Sequence, residues 1–250
     1  MIPKIIHQIW IQGHEKIHQD LKIYYDNCKI INNNFQHILW DDTKIRDLLI
    51  KNFDQIFIKT YNNYKIFAQK ADFARYAILY IYGGIYLDMD MMCKKNLSLF
   101  LNNGFFCTSY IFPDLFKRYL NGIIGARKNH PVFMTIFENI FKRKNITKNV
   151  TDSTGTGLFY DSIQEYIKNN PNHDIKIVDR KYLDPCNIYN NEKCKKSCTD
   201  CYIVHTNYSS WSPTLKICKY IIKYKNILLI VIIIVIIIVI LIIKSKFINL

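Results

Sequence analysis

The chain has 250 residues, half of them apolar, with 34 Lys and Arg against 20 Asp and Glu and a formal charge of +14. Six lysines (Lys216, Lys219, Lys223, Lys225, Lys244 and Lys246) flank an apolar run near the end, which leaves about +8 on residues 1–215. Length and hydrophobicity support one compact domain with its own core. The remaining basic residues are scattered and form no basic-aromatic motif, which excludes nucleic acid as the expected partner; they favour anionic partners such as nucleoside diphosphates and acidic membranes.

In chain order, residues 2–10 read as a first core strand and 35–40 as a second, with a helix between them and another over 43–52. Apolar residues at helical spacing run from Ile66 to Tyr82, and the Gly83-Gly84 pair stops that helix. Ile85 to Asp90 then alternates as a strand, with Ile85, Leu87 and Met89 on one side and Tyr86, Asp88 and Asp90 on the other. Asp72 and Arg75, three apart, share a face of the preceding helix. Two carboxylates side by side at a strand end suit Mg²⁺ or Mn²⁺, and an arginine beside them can fork onto an anion. Alternation of strands and helices predicts a mostly parallel sheet covered by helices. Lys142 to Thr151 reads as an exposed loop. No G-x-G-x-x-G phosphate loop is present, so a bound diphosphate has to be met by a metal.

The run from Ala71 through Asp90 resembles the D-x-D core of glycosyltransferase family 32. Ile2-Pro3-Lys4-Ile5-Ile6-His7-Gln8-Ile9-Trp10 is similar to that family's opening strand, and Ile38-Leu39-Trp40-Asp41-Asp42 to its second. Asn121-Gly122-Ile123-Ile124-Gly125-Ala126 with His130-Pro131, and Ser153-Thr154-Gly155-Thr156-Gly157 (Thr156 where the family has Pro), resemble the following blocks. Ser209-Ser210-Trp211 resembles the closing one. The pattern is most similar to that of the inositolphosphoceramide mannosyltransferases. The resemblance implies a GT-A fold, a Rossmann-like α/β scaffold for nucleotide sugars, and a retaining hexosyltransfer, mannose favoured, to a glycan or glycolipid. It also implies roles: Asp90 as direct metal ligand, Asp88 on the ribose or the metal, His205 completing the metal shell, and Ser209 beside it. Trp211 would meet the β-phosphate and Trp10 would stack on the base, while Asp72, Arg75 and Asn121 would hold the donor sugar. Trp40, Tyr76 and Tyr86 are expected to pack in the core. A metal-dependent phosphohydrolase and an inactive membrane-anchored sugar-binding protein are the competing readings.

Ile227 to Ile243 is uninterrupted Ile, Leu and Val, and at 1.5 Å per residue it spans roughly 26 Å, enough for a thin bilayer. The expected organisation is a catalytic domain over 1–215, a basic linker over 216–225, a transmembrane helix over 226–243 and a tail over 244–250. No signal peptide is expected before Trp10. Four lysines precede the helix and two follow it, which places the catalytic domain on the cytosolic side of an endoplasmic reticulum or Golgi-type membrane. Cys28, Cys93, Cys107 and Cys218 read as isolated packing residues. Cys186, Cys194, Cys198 and Cys201 cluster in a polar loop from Asn187 to Asp200 and are expected to bind zinc, remain free or form two disulfides, according to compartment. The N-x-S/T sequons at Asn96, Asn145, Asn149 and Asn207 are expected by chance in an Asn-rich chain.

Overall fold

The computed structural model describes residues 1–110, 113–143, 149–186 and 191–206, together with Tyr224 and Ile227. The chain opens with β1 (Ile5–Ile9), α1 (Gln19–Ile31), β2 (Gln36–Trp40), α2 (Asp42–Asn52) and α3 (Gln55–Asn63). Asp41 caps α2 by accepting the Lys44 N–H. The long α4 (Phe67–Tyr82) follows, then β3 (Gly84–Leu87), β4 (Met91–Cys93), β5 (Phe105–Ser109), the short α5 (Pro113–Phe116) and β6 (Tyr119–Ala126). Next come α6 (Val132–Arg143), α7 (Val150–Ser153), α8 (Thr156–Asn169), β7 (Ile175–Val178), α9 (Arg180–Leu183), α10 (Asn191–Ser197) and β8 (Ile203–His205).

Six strands form one sheet in the order β2-β1-β3-β6-β5-β7, and β4 pairs with β8 in a separate antiparallel ribbon. The main sheet is mixed where the sequence pattern suggests a mostly parallel one: β6 runs antiparallel to both β3 and β5. A parallel return needs a crossover of about a dozen residues, more than the short connection from β5 to β6 provides. Side-chain alternation divides the sheet cleanly. Tyr86, Ile124, Phe105 and Cys107 join one core with α2, α3, α4, α6 and α8. Ile6, Ile85, Leu87, Ile123 and Phe106 join a second core with Cys28 of α1 and with β4 and β8.

Several boundaries differ from the sequence expectation. The strand before the acidic pair ends at Leu87, so Asp88, Met89 and Asp90 form the turn into β4 rather than one continuous strand. Helix reaches into both supposed loops: α6 extends to Arg143 and α7 starts at Val150, with 144–148 outside the described residues, and α10 lies within the cysteine-rich segment. Cys28 and Cys93, expected as separate packing residues, are disulfide-bonded and tie α1 to β4. Cys186 pairs with Cys194 and Cys198 with Cys201, which removes the zinc alternative because disulfide sulfurs are no longer thiolate ligands. Cys107 is a free, buried thiol, as expected of a packing residue. Among the described residues no helix is long and apolar enough to cross a membrane. The expected span over 226–243 lies outside them except for Ile227, as do Cys218, Ser209, Ser210 and Trp211.

The junction of α4 and β3 rests on His7. Its Nε2 donates to the Gly83 carbonyl at 2.9 Å, and its Nδ1 accepts the Trp40 indole N–H at 3.1 Å, so Trp40 has the core role expected of it. Gly84 has φ +98°, and a Cβ there would lie 2.7 Å from the Ile5 carbonyl oxygen, so this position demands glycine. Burial lowers the His7 pKa to about 4, against a smaller upward pull from the Gly83 carbonyl. A depressed histidine pKa contributes stability that is present above the unfolded value of 6.5 and is lost as pH falls through the folded one. Chemical denaturation of the wild type should therefore show about 3 kcal/mol of stability lost between roughly pH 6.5 and 4 that His7→Gln, less stable at neutral pH, does not lose. Parallel pH profiles for the two proteins would contradict this.

Candidate active site

The acidic turn, α4 and the start of β6 converge at the carboxyl end of β3. Helix α4 puts Asp72 and Arg75 one turn apart on its sheet-facing side, and both are about 5% exposed. Arg75 Nη2 lies 3.1 Å from Asp72 Oδ1, and Nη1 lies 3.3 Å from Asp88 Oδ1. Nη1 also donates to the Asn121 carbonyl at 2.6 Å, and Nε to the Ala71 carbonyl at 3.3 Å. The guanidinium carbon stands 4.5 Å from the centre of the Tyr86 ring. One buried cation thus ties the helix to the acidic turn and to β6.

Asp72 is fully engaged. Its Oδ1 accepts from Asn121 Nδ2 at 2.9 Å in addition to Arg75, and its Oδ2 accepts from the Thr154 hydroxyl at 3.0 Å. Tyr76 donates its hydroxyl to the Thr154 carbonyl at 2.8 Å and accepts from Asn121 at 3.0 Å. Burial pushes the Asp72 carboxyl up to about 6, opposed by Arg75 and by the Thr154 hydrogen bond. For Arg75 burial acts downward, but Asp88, Tyr86 and Asp72 hold it charged and raise it. The pair is no surface ion pair of marginal worth; it is a buried network whose members depend on one another.

On the other side of Arg75, the Tyr86 hydroxyl donates to Asp88 Oδ1 at 2.8 Å. Tyr86 was expected only to pack in the core; its ring does so, while its hydroxyl orients Asp88. The Asp88 N–H donates to the Gly122 carbonyl at 2.8 Å. A Cβ at Gly122 would approach Asp88 Oδ2 to 2.6 Å, so glycine there admits the carboxylate against β6. Asp90 faces β8: His205 Nε2 stands 3.1 Å from both of its oxygens. The Thr206 N–H and hydroxyl both donate to the Asp90 carbonyl at 2.9 Å. Ligand atoms of Asp88, Asp90 and His205 all lie within 4.8 Å of one another. Burial alone would lower the His205 imidazole, but Asp90, helped by Asp184 and Asp88, pushes it up to about 9.

Two carboxylates and one imidazole, close enough to share an ion, form a donor set suited to Mn²⁺ or Mg²⁺. The structure therefore gathers Asp72, Arg75, Asn121, Asp88, Asp90 and His205 at one place. Trp10 sits just past the carboxyl end of β1, half-buried, with its indole N–H donating to the Lys16 carbonyl at 2.9 Å. Ser209 and Trp211 lie outside the described residues. Sequence reading assigned no role to Thr154, although it stands within the Ser153-Thr154-Gly155 block; only the fold brings it onto Asp72. Arg75→Met should cost about 3–5 kcal/mol, since it leaves two carboxylates without their shared cation. Urea unfolding of wild type and variant checks this, and a loss below about 1 kcal/mol, the range of exposed ion pairs, would show that the network is not buried as described.

Comparison with known proteins agrees with this geometry. Residues 18–106 match the family described as "Glycosyltransferase sugar-binding region containing DXD motif". An uncharacterized glycosyltransferase of Acanthamoeba polyphaga mimivirus is 58% identical over 230 residues, covering 92% of each chain. Inositol phosphoceramide mannosyltransferase 1 of Schizosaccharomyces pombe is 32% identical over 65% of this chain, which spans 51% of that relative's length. Among solved structures, the PaToxG glycosyltransferase superposes with a TM-score of 0.53 at 19% identity, covering 67% of this chain and 71% of that one. The ligand-free glycosyltransferase domain of the YGT toxin superposes with a TM-score of 0.52 at 10% identity, covering 71% and 80%. The mixed α/β sheet with its acidic turn is thus a fold of the GT-A type.

Proposed function

The chain belongs to the glycosyltransferases that carry the D-x-D motif, and from that premise we propose that it moves a hexose, mannose favoured, from a nucleoside-diphosphate sugar to an inositol-phosphate lipid or related glycan. The observation that carries this reading is the convergence of Asp88, Asp90 and His205 beside the buried Asp72–Arg75 pair. Similarity to inositol phosphoceramide mannosyltransferase 1 of Schizosaccharomyces pombe and to the mannosyl phosphorylinositol ceramide synthase CSH1 of Saccharomyces cerevisiae supports mannose and a lipid acceptor. The match spans 51% and 42% of those two relatives.

In this reading Asp88, Asp90 and His205 would hold a divalent ion, which would supply Lewis-acid stabilisation to a departing diphosphate. Asp90 would be the direct carboxylate ligand, with neutral His205 beside it as a nitrogen ligand. Tyr86 and Arg75 fix Asp88 through its Oδ1. Trp10 would stack on the base, Trp211 would meet the β-phosphate through its indole N–H, and Ser209 would join His205 in completing the metal shell. Asp72, Arg75 and Asn121 form the floor beneath the donor sugar. The bond from the anomeric carbon to the β-phosphate oxygen breaks, a bond to the acceptor hydroxyl oxygen forms, and the acceptor proton passes to the leaving phosphate. Both Asp72 oxygens are occupied by protein donors, which disfavours it as a covalent nucleophile and supports return of the acceptor on the same face. Residues 1–215 form the catalytic domain, and 226–243 anchor it in a membrane; the three disulfides weigh against the cytosolic orientation that the flanking lysines favour.

Incubating the full chain with Mn²⁺, a panel of nucleoside-diphosphate hexoses and inositol-phosphate lipid should give one preferred donor and a glycosylated lipid. Asp88→Asn and Asp90→Asn should each abolish transfer and weaken donor binding at least tenfold while leaving the fold intact, because each removes an oxygen anion from the ion's shell. Undiminished turnover in either variant would overturn the assignment.

A further inference from the structure

Behind the strand that carries His205 lies a patch of sulfur that the function above does not use. Side chains of β8 alternate: Ile203 joins the second core, Val204 faces the other way, and His205 meets Asp90. Among the described residues, the cluster that buries Val204 consists otherwise of Cys186, Cys194, Cys198 and Cys201 alone. Two disulfides, Cys186–Cys194 and Cys198–Cys201, therefore stand where a strand of this kind would ordinarily rest on aliphatic side chains.

The rest of the hold on β8 is slight. It pairs with β4 over three residues, Met91 standing opposite His205, and a two-stranded ribbon of that size is marginal without support. Just before β8, Tyr202 donates its N–H to the Tyr182 carbonyl at 2.7 Å and accepts the Lys94 N–H at 2.8 Å. The cysteine segment is fastened to the same neighbours: Arg180 donates to the Cys186 carbonyl at 2.8 Å and Lys94 Nζ to the Lys195 carbonyl at 3.1 Å. One disulfide ties Cys186 to α10, and the other ties the end of α10 to Cys201, which leads directly into β8. Access separates these bonds from the third. Cys28 and Cys93 are 0% and 1% exposed, whereas Cys194 and Cys198 are partly exposed. Thiol–disulfide exchange needs a thiolate to reach a sulfur, so a small dithiol meets the outer two bonds first.

We propose that the outer disulfides are a redox-sensitive latch: closed, they hold β8 so that His205 faces Asp90, and opened by a dithiol they release it and weaken divalent-ion binding. The idea rests on the metal-site reading above. In the opening step a thiolate of the dithiol attacks the exposed sulfur, Cys194 or Cys198, and Cys186 or Cys201 leaves as a thiolate and takes up a proton. The second thiol of the reagent then displaces the first cysteine. Each protein disulfide gains two electrons and two protons, and the dithiol becomes a cyclic disulfide.

The test uses the full chain in detergent, treated with limiting dithiol and freed of it by gel filtration, with the new thiols counted by a chromogenic reagent. Amide exchange, which needs no metal, should become about tenfold faster in β8 once the outer bonds open, while β1, β3 and β6 stay as protected as before. Mn²⁺ titration followed by electron paramagnetic resonance should show binding weaker by about tenfold or more, recovered on reoxidation. The double variant Cys186→Ser with Cys194→Ser should bind Mn²⁺ weakly from the start and gain nothing from reoxidation. A chain with its outer bonds open that keeps both its β8 protection and its Mn²⁺ affinity overturns the proposal. So does loss of protection spread over the whole sheet, or outer bonds that a dithiol opens no sooner than Cys28–Cys93. Failure of the metal reading looks different: the oxidised wild type binds no Mn²⁺, while β8 exchange still responds to the dithiol.

Discussion

A guanidinium buried between two carboxylates is the constraint on which this site depends. Removing Arg75 from water carries a desolvation cost that attraction to Asp72 and Asp88 offsets only if the remaining donors and acceptors are also matched. The structure meets that condition with the Ala71 and Asn121 carbonyls and the face of Tyr86. Each of those partners comes from a different part of the chain, so satisfying Arg75 fixes the relative position of α4, β3 and β6. The acidic turn inherits its geometry from that arrangement. Asp88 is held by groups beneath it, and Asp90 is held by β8 from the other side.

Much of this was legible in the sequence because it is local. The three-residue spacing of Asp72 and Arg75 on a continuous helical pattern, and the glycine pair that ends it, fix α4 and its exit. Alternation of Ile85, Tyr86 and Leu87 places them correctly on opposite faces of the sheet. The same alternation overran: it continued the strand through Asp90, whereas the chain turns at Asp88. That turn is set by the Asp88 N–H reaching the Gly122 carbonyl and the Met91 N–H returning to the Asp88 carbonyl at 3.1 Å, contacts that periodicity does not encode. The turn also brings ligand atoms of Asp88 and Asp90 within 4.8 Å of a His205 ring nitrogen.

What was not legible is non-local. Thr154 meets Asp72 across 82 positions of sequence, and His205 reaches Asp90 only once β8 has paired with β4. Cys28 and Cys93 are 65 residues apart and carry no motif; only the packing of α1 on β4 shows that they are partners. The cysteine cluster was visible as a cluster, but spacing could not choose between zinc and disulfides. His205 was singled out only through its neighbourhood to a resembled motif, and the pairing of Met91 with His205 is what gives that choice a physical basis.

The central claim is that the acidic turn and β8 together hold one divalent ion beneath the donor diphosphate. Anomalous diffraction at the manganese edge, from crystals grown with Mn²⁺ and a nucleoside diphosphate, tests it most directly. The account predicts a single strong peak in contact with Asp90 and His205 and within reach of Asp88, directly or through one water. A peak that ignores these residues, or a bound diphosphate with no manganese beside it, would contradict the account.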